Sequence, residues 1–370
     1  MARGSELGTA VSGPSRVAGP DEAVSLEELQ LAARNHGLPL ETLRYDVTPT
    51  GLHYLLTHYD IPAIDQPSWR LTVGGHTERT LTLDLATLRS MPRRTVRVTL
   101  ECAGNGRARL LPRPVSQPWL VEAVGTADWT GTPLAEVLDQ AGIRGGAVDV
   151  AFTGADHGIE RGVEQDYARG LSLADALGPD VLLVDEMNGR PLPPQHGAPL
   201  RLLVPGWYGM TQVKWLRQIS VLDHAFDGYQ NATAYRLIRG DEEAGEPVTR
   251  IEPRALMLPP GFPDFMSRVR VVDAGRYQLQ GRAWSGWAPI AGVEVSTDSG
   301  LSWQPAELGP AAGRWSWRGW TFGWDATTPG ERELCCRAID ESGRAQPIDQ
   351  PWNRQGMANN MIQRVRVVVR

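Results

Sequence analysis

Residues 98–110 read VTLECAGNGRARL, a β-rich run that ends in a cysteine and is followed within seven positions by two glycines and two arginines. Three chemistries are open to Cys102. As a structural residue it is a small apolar filler, and the glycines serve a turn. As a nucleophile it would sit in a phosphate-cradling loop of the cysteine-phosphatase kind. Four residues separate Cys102 from Arg107, one fewer than that loop uses, and Ala108 stands where a hydroxyl would assist the leaving thiol. As a metal ligand it would give one soft thiolate to a transition metal, with glycines letting a bulky cofactor lie against the main chain. No second cysteine or paired histidine stands at zinc-ligand spacing, so in that case the remaining coordination comes from an organic group.

HGAPLRLLVPGWYGMTQVKWL (196–216) carries His196, Arg201 and Lys214 on a strand–turn–strand pattern. Three potentially cationic groups there suit a phosphate anchor, and a solvated polar face is the plain alternative. Lys214 is the only lysine of the chain. ARNHGLP (33–39) adds Arg34 and His36 after a first helix, a pattern shared with ordinary capping and surface segments.

These residues need elements to hold them. SLEELQLAARN (25–35) spaces its leucines helically, and Ser25 with Glu28 forms a capping box. WRLTVGG (69–75) and TVRVTLEC (95–102) alternate as strands. TPLAEVLDQAGI (132–143) reads as a helix capped by Thr132, with Pro133 first and a stop near Gly142. VLLVDEMNGRPLP (181–193) is a buried strand with a turn at Asn188 and Gly189. After about residue 229 helical spacing gives way to short strands between turn signals, which predicts an all-β sandwich. The expected fold is α+β: a loose arm over 1–25, a mixed domain over 26–228, and a β-sandwich over 229–370, with 236–250 as a polar linker.

At 370 residues the chain is long enough for two cores. A formal charge of −6 gives a nucleic-acid partner no electrostatic support, although a local basic patch can still hold a small anion. Cys335 and Cys336 are adjacent in an apparent strand, face opposite ways and do not pair, which suits a reducing compartment. The first residues hold no apolar run of signal-peptide length, and nothing later reaches the roughly 18 apolar residues of a membrane span. A cytoplasmic protein without a membrane partner is expected.

Taken together, ARNHGLP, TLECAGNGR, GADHG (154–158) and DEMNGRPLPPQHGAPLRLLVPGWYGMTQVKWL (185–216), then AWSG, VEVSTDSGLSW and PWNRQG (351–356), resemble the sulfite oxidase family of molybdopterin-dependent oxidoreductases. The pieces lie in family order and cover the chain from about residue 30. The resemblance implies that Cys102 is the thiolate ligand of molybdenum, whose other sulfurs come from the pterin. It implies that Arg34, Asn35, His36, Asp156, His196, Arg201 and the Gln212, Val213, Lys214 run hold the pterin and its phosphate. It places Arg107 beside the active centre and Trp119 near the substrate pocket. It makes the second domain an immunoglobulin-like module able to form a homodimer. No haem is expected, so electrons leave by a separate carrier.

The implied activity is oxygen-atom transfer, sulfite to sulfate, with Arg34 and Arg107 drawing in the oxyanion and Arg107 with nearby glycine amides favouring the Cys102 thiolate. Asp185 stands where sulfite-oxidising members carry a tyrosine, and a carboxylate there repels sulfite unless it is paired or turned away. The family arginine soon after AWSG is absent, and WAPIAG (287–292) is apolar. A pocket short of a phenol and a positive charge, walled by Trp119, Trp207 and Tyr208, would suit reduction of a sulfoxide or other S- or N-oxide. The plain role of Trp207 is core packing. A metal-free binding module is the non-enzymatic alternative. Trp315 and Trp317 are expected in the core rather than at an interface.

Overall fold

The strand Arg94–Glu101 buries its C-terminal half and pairs antiparallel with Val124–Pro133, from Arg94 opposite Gly131 to Glu101 opposite Val124. Its valines and threonines fit such a half-buried pleated surface. Val124–Pro133 pairs in turn with Leu182–Met187, which is also flanked by Arg190–Pro191 and Arg201–Leu203. A second sheet runs in the order Leu81–Leu83, Leu71–Gly75, Leu216–Leu222, Asp149–Glu160, Val163–Ser172, with Leu71–Gly75 and Leu216–Leu222 parallel. The computed structural model describes residue 11 and residues 15–240 and 244–370. The expected loose arm and the polar linker therefore fall partly outside the described residues. Within them, Val17 bridges Pro114, and Arg236–Leu237 pairs with Glu246–Pro247.

Short helices carry the expected signals with one change. In Leu26–Arg34 the Ser25 hydroxyl accepts from the Glu28 amide, and the Glu28 carboxylate accepts from the Ser25 amide. The helix Leu134–Ala141 begins later than its sequence pattern suggests. Thr132 belongs to the preceding strand, and its hydroxyl donates to the Leu88 carbonyl at 2.8 Å instead of capping. Asn188 and Gly189 both take positive φ, as a tight hairpin between Leu182–Met187 and Arg190–Pro191 requires.

The C-terminal half forms two sheets. One runs Arg254–Met257, Gly275–Trp284, Arg318–Ala326, Glu307–Leu308; the other runs Phe262–Pro263, Arg270–Val272, Gln363–Val369, Gly330–Asp340, Ile290–Ser296, Gln304–Pro305. Alternation along Gln363–Val369 turns Val365, Val367 and Val369 inward against Met257, Leu279, Trp320 and Trp324 of the facing sheet, and leaves Arg364 and Arg366 outward. Each such buried apolar side chain contributes roughly 1.5–3 kcal/mol. Cys335 and Cys336 are buried and unbridged. Trp317 is core, as expected, and Trp315 is partly buried; both sit at the seam between the halves. Trp317 Nε1 donates to the Asp46 carbonyl at 2.8 Å, and Trp315 Nε1 donates to Asp180 at 2.8 Å.

Candidate active site

Cys102 stands just past the end of Arg94–Glu101, its amide donating to the Ala123 carbonyl at 2.9 Å, and the chain then turns through the Asn105 amide bonded to the Cys102 carbonyl at 3.0 Å. The glycines of this loop serve the protein's own packing, where an accommodated cofactor had been the expectation. A Cβ on Gly104 would lie 2.7 Å from the Arg107 guanidinium, and one on Gly106, at φ +90°, would lie 2.9 Å from the Asn359 amide nitrogen. The loop is thus folded back on Arg107 and pressed against the second half of the chain.

Cys102 opens onto a cavity of about 660 Å³ counting its mouth. Asp156, His196, Arg201, Gln212 and Lys214 line the same cavity, so the structure brings these six sequence-derived residues together. Arg201 begins Arg201–Leu203, and Lys214 follows the turn Gly209–Thr211 just before Leu216–Leu222; together these segments are the strand–turn–strand unit read from the sequence. Arg201 donates to the His196 carbonyl at 2.9 Å and lies 4.8 Å from the Trp129 ring, and burial lowers its pKa to about 10. Lys214 donates to the Leu56 carbonyl at 2.9 Å and to the Gln195 carbonyl at 3.2 Å, and burial, with Arg201 nearby, lowers it to about 7. Burial raises Asp156 to about 6.

His196 departs from its expected charge. Burial first, then His53 and Arg201, push its pKa down to about 2, so it is a neutral imidazole, and the anion-facing cations are two rather than three. Gln212 lines the cavity, but its amide is spent on the Val204 amide at 2.7 Å, the Val204 carbonyl at 2.8 Å and the Trp207 carbonyl at 3.0 Å. Val213 lies in the core behind, with Trp207. Tyr208 packs in a separate core cluster at the seam, and neither Trp207 nor Tyr208 lines the cavity.

Other expected site residues stand elsewhere. Arg34 reaches the Tyr59 carbonyl at 2.8 Å and Asp60 at 3.4 Å, and it does not line the cavity. Asn35 is a brace: its Oδ1 accepts from the Thr57 amide at 2.8 Å and its Nδ2 donates to Gln117 at 3.1 Å. His36 is exposed, and its amide pairs with the Leu55 carbonyl at 3.1 Å, so this segment backs residues 54–58. Arg107 is buried behind Cys102, donating to the Gln355 carbonyl at 2.7 Å and to the Gln117 carbonyl at 3.3 Å. Burial raises the Cys102 thiol, with Arg107, the Gly104 amide and the Trp119 indole pulling the other way. The expectation that Arg107 and the nearby glycine amides would keep the thiolate is therefore reversed: burial prevails, and a metal ion bound there would have to displace the proton.

Asp185 also moves out of the site. Its carboxylate is buried in the strand Leu182–Met187 and accepts from Arg89 at 2.6 Å and Arg93 at 2.8 Å. It is paired and turned away from the cavity, so it does not repel a substrate there. Nor is the pocket short of phenols, since Tyr54, Tyr167 and Tyr235 line it, with His53 and His58. His58 Nε2 lies 2.7 Å from the Tyr235 hydroxyl, and its ring stacks on Tyr167 at 4.8 Å. The paired histidines of LHYLLTHYD were a signal that could have marked the 53–58 segment; Tyr167 and Tyr235 carry no local motif.

The donor set suits a phosphate-bearing dithiolene pterin with molybdenum. One thiol stands on the wall of a cavity that buried Arg201 and half-buried Lys214 also line. His53 Nε2, Asp156 Oδ1 and Arg201 Nε are buried there without a hydrogen-bond partner among the described residues, as donors and acceptors left for a bound group would be. No cluster of three or more His, Cys, Asp or Glu able to hold a metal exists among the described residues, so Cys102 would need sulfur ligands from the cofactor.

Residues 58–230 match the family model of the oxidoreductase molybdopterin binding domain, and residues 262–370 match that of the Mo-co oxidoreductase dimerisation domain. Fold and site thus define a molybdopterin-binding oxidoreductase. Sulfite oxidase of Gallus gallus is 35% identical over 329 residues, covering 84% of this chain and 71% of that protein. Mitochondrial sulfite oxidase of Rattus norvegicus is 33% identical over 349 residues, and the chain, 87% covered, spans 62% of its length. NADH nitrate reductase of Ulva prolifera is 31% identical over 346 residues, covering 87% of this chain and 40% of that protein. Among solved structures, the sulfane dehydrogenase SoxCD of Paracoccus pantotrophus superposes with a TM-score of 0.79 at 24% identity, covering 95% of this chain and 87% of that one. The chain belongs to the sulfite oxidase family of molybdopterin-dependent oxidoreductases.

Proposed function

We propose that this chain oxidises sulfite to sulfate by oxygen-atom transfer and hands the electrons to a separate acceptor. The observation that carries this reading is the single cavity that sets the Cys102 thiol together with Arg201, Lys214 and Asp156. The bound molybdenum cofactor would supply two-electron oxygen-transfer chemistry, which side chains cannot. Cys102 would hold the metal, and Arg201 and Lys214 the phosphate end, with neutral His196 and His53 as hydrogen-bonding partners. Leu56, Leu100, Ala103 and Met210 give the cavity apolar walls that exclude water, while the His58 and Tyr235 pair adds a polar edge.

The strand orders of the C-terminal sheets, A-B-E-D against G-F-C in immunoglobulin lettering, support reading that half as an immunoglobulin-like dimerisation module. A second reading, reduction of sulfoxides or N-oxides, is favoured by one observation: Arg34 and Arg107, the expected oxyanion cations, do not line the cavity.

The test is a panel on protein purified with cofactor supply: molybdenum and pterin content, sulfite with an artificial acceptor, and sulfoxides and N-oxides with an artificial donor. Stoichiometric metal with sulfite turnover is expected. Turnover confined to the oxides would select the second reading, and protein without metal or pterin would leave only a binding module.

A further inference from the structure

A second concavity, a groove of about 1580 Å³ counting its mouth, runs between the two halves of the chain, and it is basic in a protein whose net charge is −6. Arg109, Arg268, Arg270, Arg364 and Arg366 line it, against the carboxylates of Glu41 and Glu122. Arg270 is spent on the carbonyls of Pro260 and Gly261, and Arg364 on Glu333. The guanidinium groups of Arg109, Arg268 and Arg366 make no hydrogen bond or ion pair among the described residues, and Arg268 and Arg366 are exposed. Glu122 acts on Arg109 and Asp264 on Arg268, but five arginines against two carboxylates lining the groove leave a local positive field that steers acidic surfaces, within the roughly 10 Å reach left by 0.1 M salt. Beside them Leu120, Phe265 and Met266 are 50%, 82% and 83% exposed, an apolar fringe to a charged centre. Weak redox encounters use small patches of this kind, below about 1,200 Å².

What the groove reaches matters as much as its charge. Trp119 forms part of its floor and also packs in the same buried cluster as Cys102. Its Nε1 makes no full hydrogen bond among the described residues, yet it lies close enough to the sulfur to favour the thiolate. The Trp119 carbonyl accepts from the Ala108 amide at 3.0 Å, so the indole is fixed to the cysteine loop. One aromatic side chain thus spans the wall between the arginine groove and the sulfur.

We propose that the groove is the docking surface for an acidic one-electron carrier protein, with Trp119 as the bridge from that surface to Cys102. This rests on the proposed oxidation of sulfite. There, sulfite and one water become sulfate, two protons and two electrons, and each of two oxidised carriers takes one electron in turn at the groove. Electrostatic steering of such a carrier raises its association rate and makes that rate salt-dependent.

The probe is an oxidised blue-copper protein of plastocyanin type with an acidic patch, compared with a basic c-type cytochrome, on the molybdenum-loaded protein. Calorimetric titration at low salt should show binding of the copper protein and not of the basic cytochrome, lost at high salt. The double variant Arg268→Glu, Arg366→Glu should lose at least about tenfold in that binding and in copper-protein reduction, the order of effect expected of steering charges. Its sulfite turnover with ferricyanide, metal content and melting temperature should stay at the parent's level. Unchanged binding and unchanged copper-protein reduction in the double variant would overturn the docking assignment. So would a parent that sediments as a dimer and a double variant that sediments as a monomer, since the groove would then be a contact between copies. Copper-protein binding that is retained while sulfite and ferricyanide give no turnover would defeat the sulfite reading and leave the docking surface standing.

Discussion

Glu101 and Arg254 form an ion pair at 2.8 Å with both side chains 1% exposed, so the residue before Cys102 is tied directly to the second half of the chain. Trp284 Nε1 donates to the same carboxylate at 2.7 Å and Asn105 Nδ2 at 3.0 Å, which occupies both oxygens. Breaking such a pair strands a charge without solvent. Arg254→Leu should therefore cost about 3–5 kcal/mol of stability and lower molybdenum occupancy, because the cysteine loop loses its brace. Denaturant unfolding measures the first and metal analysis of the purified variant the second; a loss below about 1 kcal/mol would mean that Glu101 is neutralised by other means.

Cys102 separates metal holding from folding. Its side chain is small and its backbone bonds do not depend on sulfur, so Cys102→Ser should fold with a melting temperature near the parent's. Metal content and turnover should fall by more than about 100-fold, since a buried hydroxyl is a poor, hard donor to this centre. Molybdenum retained at parental level in the serine variant would show that the metal is held otherwise.

Much of this site was legible because its chemistry is local. The run 196–216 folds as the strand–turn–strand its alternation implies, so His196, Arg201 and Lys214 reach one cavity together. ECAGNGR likewise puts its cysteine at a strand end. What failed were inferences in which a residue's type stood in for its surroundings. Arg34 to His36 looks like an anion-holding triplet, but pairing of His36 with Leu55 makes it the backing of the 53–58 segment that lines the cavity. Asp185 looks like a pocket carboxylate, and two arginines from a neighbouring helix and loop capture it. Tyr167, on the strand Val163–Ser172, and Tyr235, just past the helical turn Gln230–Ala234, reach the cavity by topology alone, which no short window of sequence reveals. In the second half, period-two alternation marked the strands well, but which tryptophans meet the first half depends on docking of Thr99 against Trp315 and Trp317.

Asp185 carries a prediction opposite to the one its position suggests. With Arg89 at 2.6 Å and Arg93 at 2.8 Å, the carboxylate is structural. Asp185→Asn should lower stability by about 2 kcal/mol, the cost of weakening charged hydrogen bonds at a buried acceptor, with sulfite KM unchanged. Asp185→Tyr should lower stability further and should not raise sulfite turnover. A rise in sulfite turnover with tyrosine at that position would place this strand in the substrate path after all.

Lys214 and Asp156 give the cavity a calculable pH response. Lys214 sits at about 7 and Asp156 at about 6, so both charge states change within the physiological range. Raising the pH removes the lysine proton and charges the carboxylate, and each step makes the cavity less positive. Sulfate stays a dianion throughout, so its binding to cofactor-free protein isolates the protein's own titration. If the anion requires protonated Lys214, affinity should fall by about tenfold between pH 6 and 8, with a proton taken up on binding above pH 7. Lys214→Met should lower the affinity at pH 6 and flatten the profile, while Lys214→Arg should keep the low-pH affinity and carry it past pH 8, because a guanidinium stays charged. Calorimetric titration of sulfate in two buffers of different ionisation enthalpy measures both affinity and proton uptake. An affinity that rises with pH would place the bound anion away from Lys214 and Arg201, and with it the phosphate end of the cofactor.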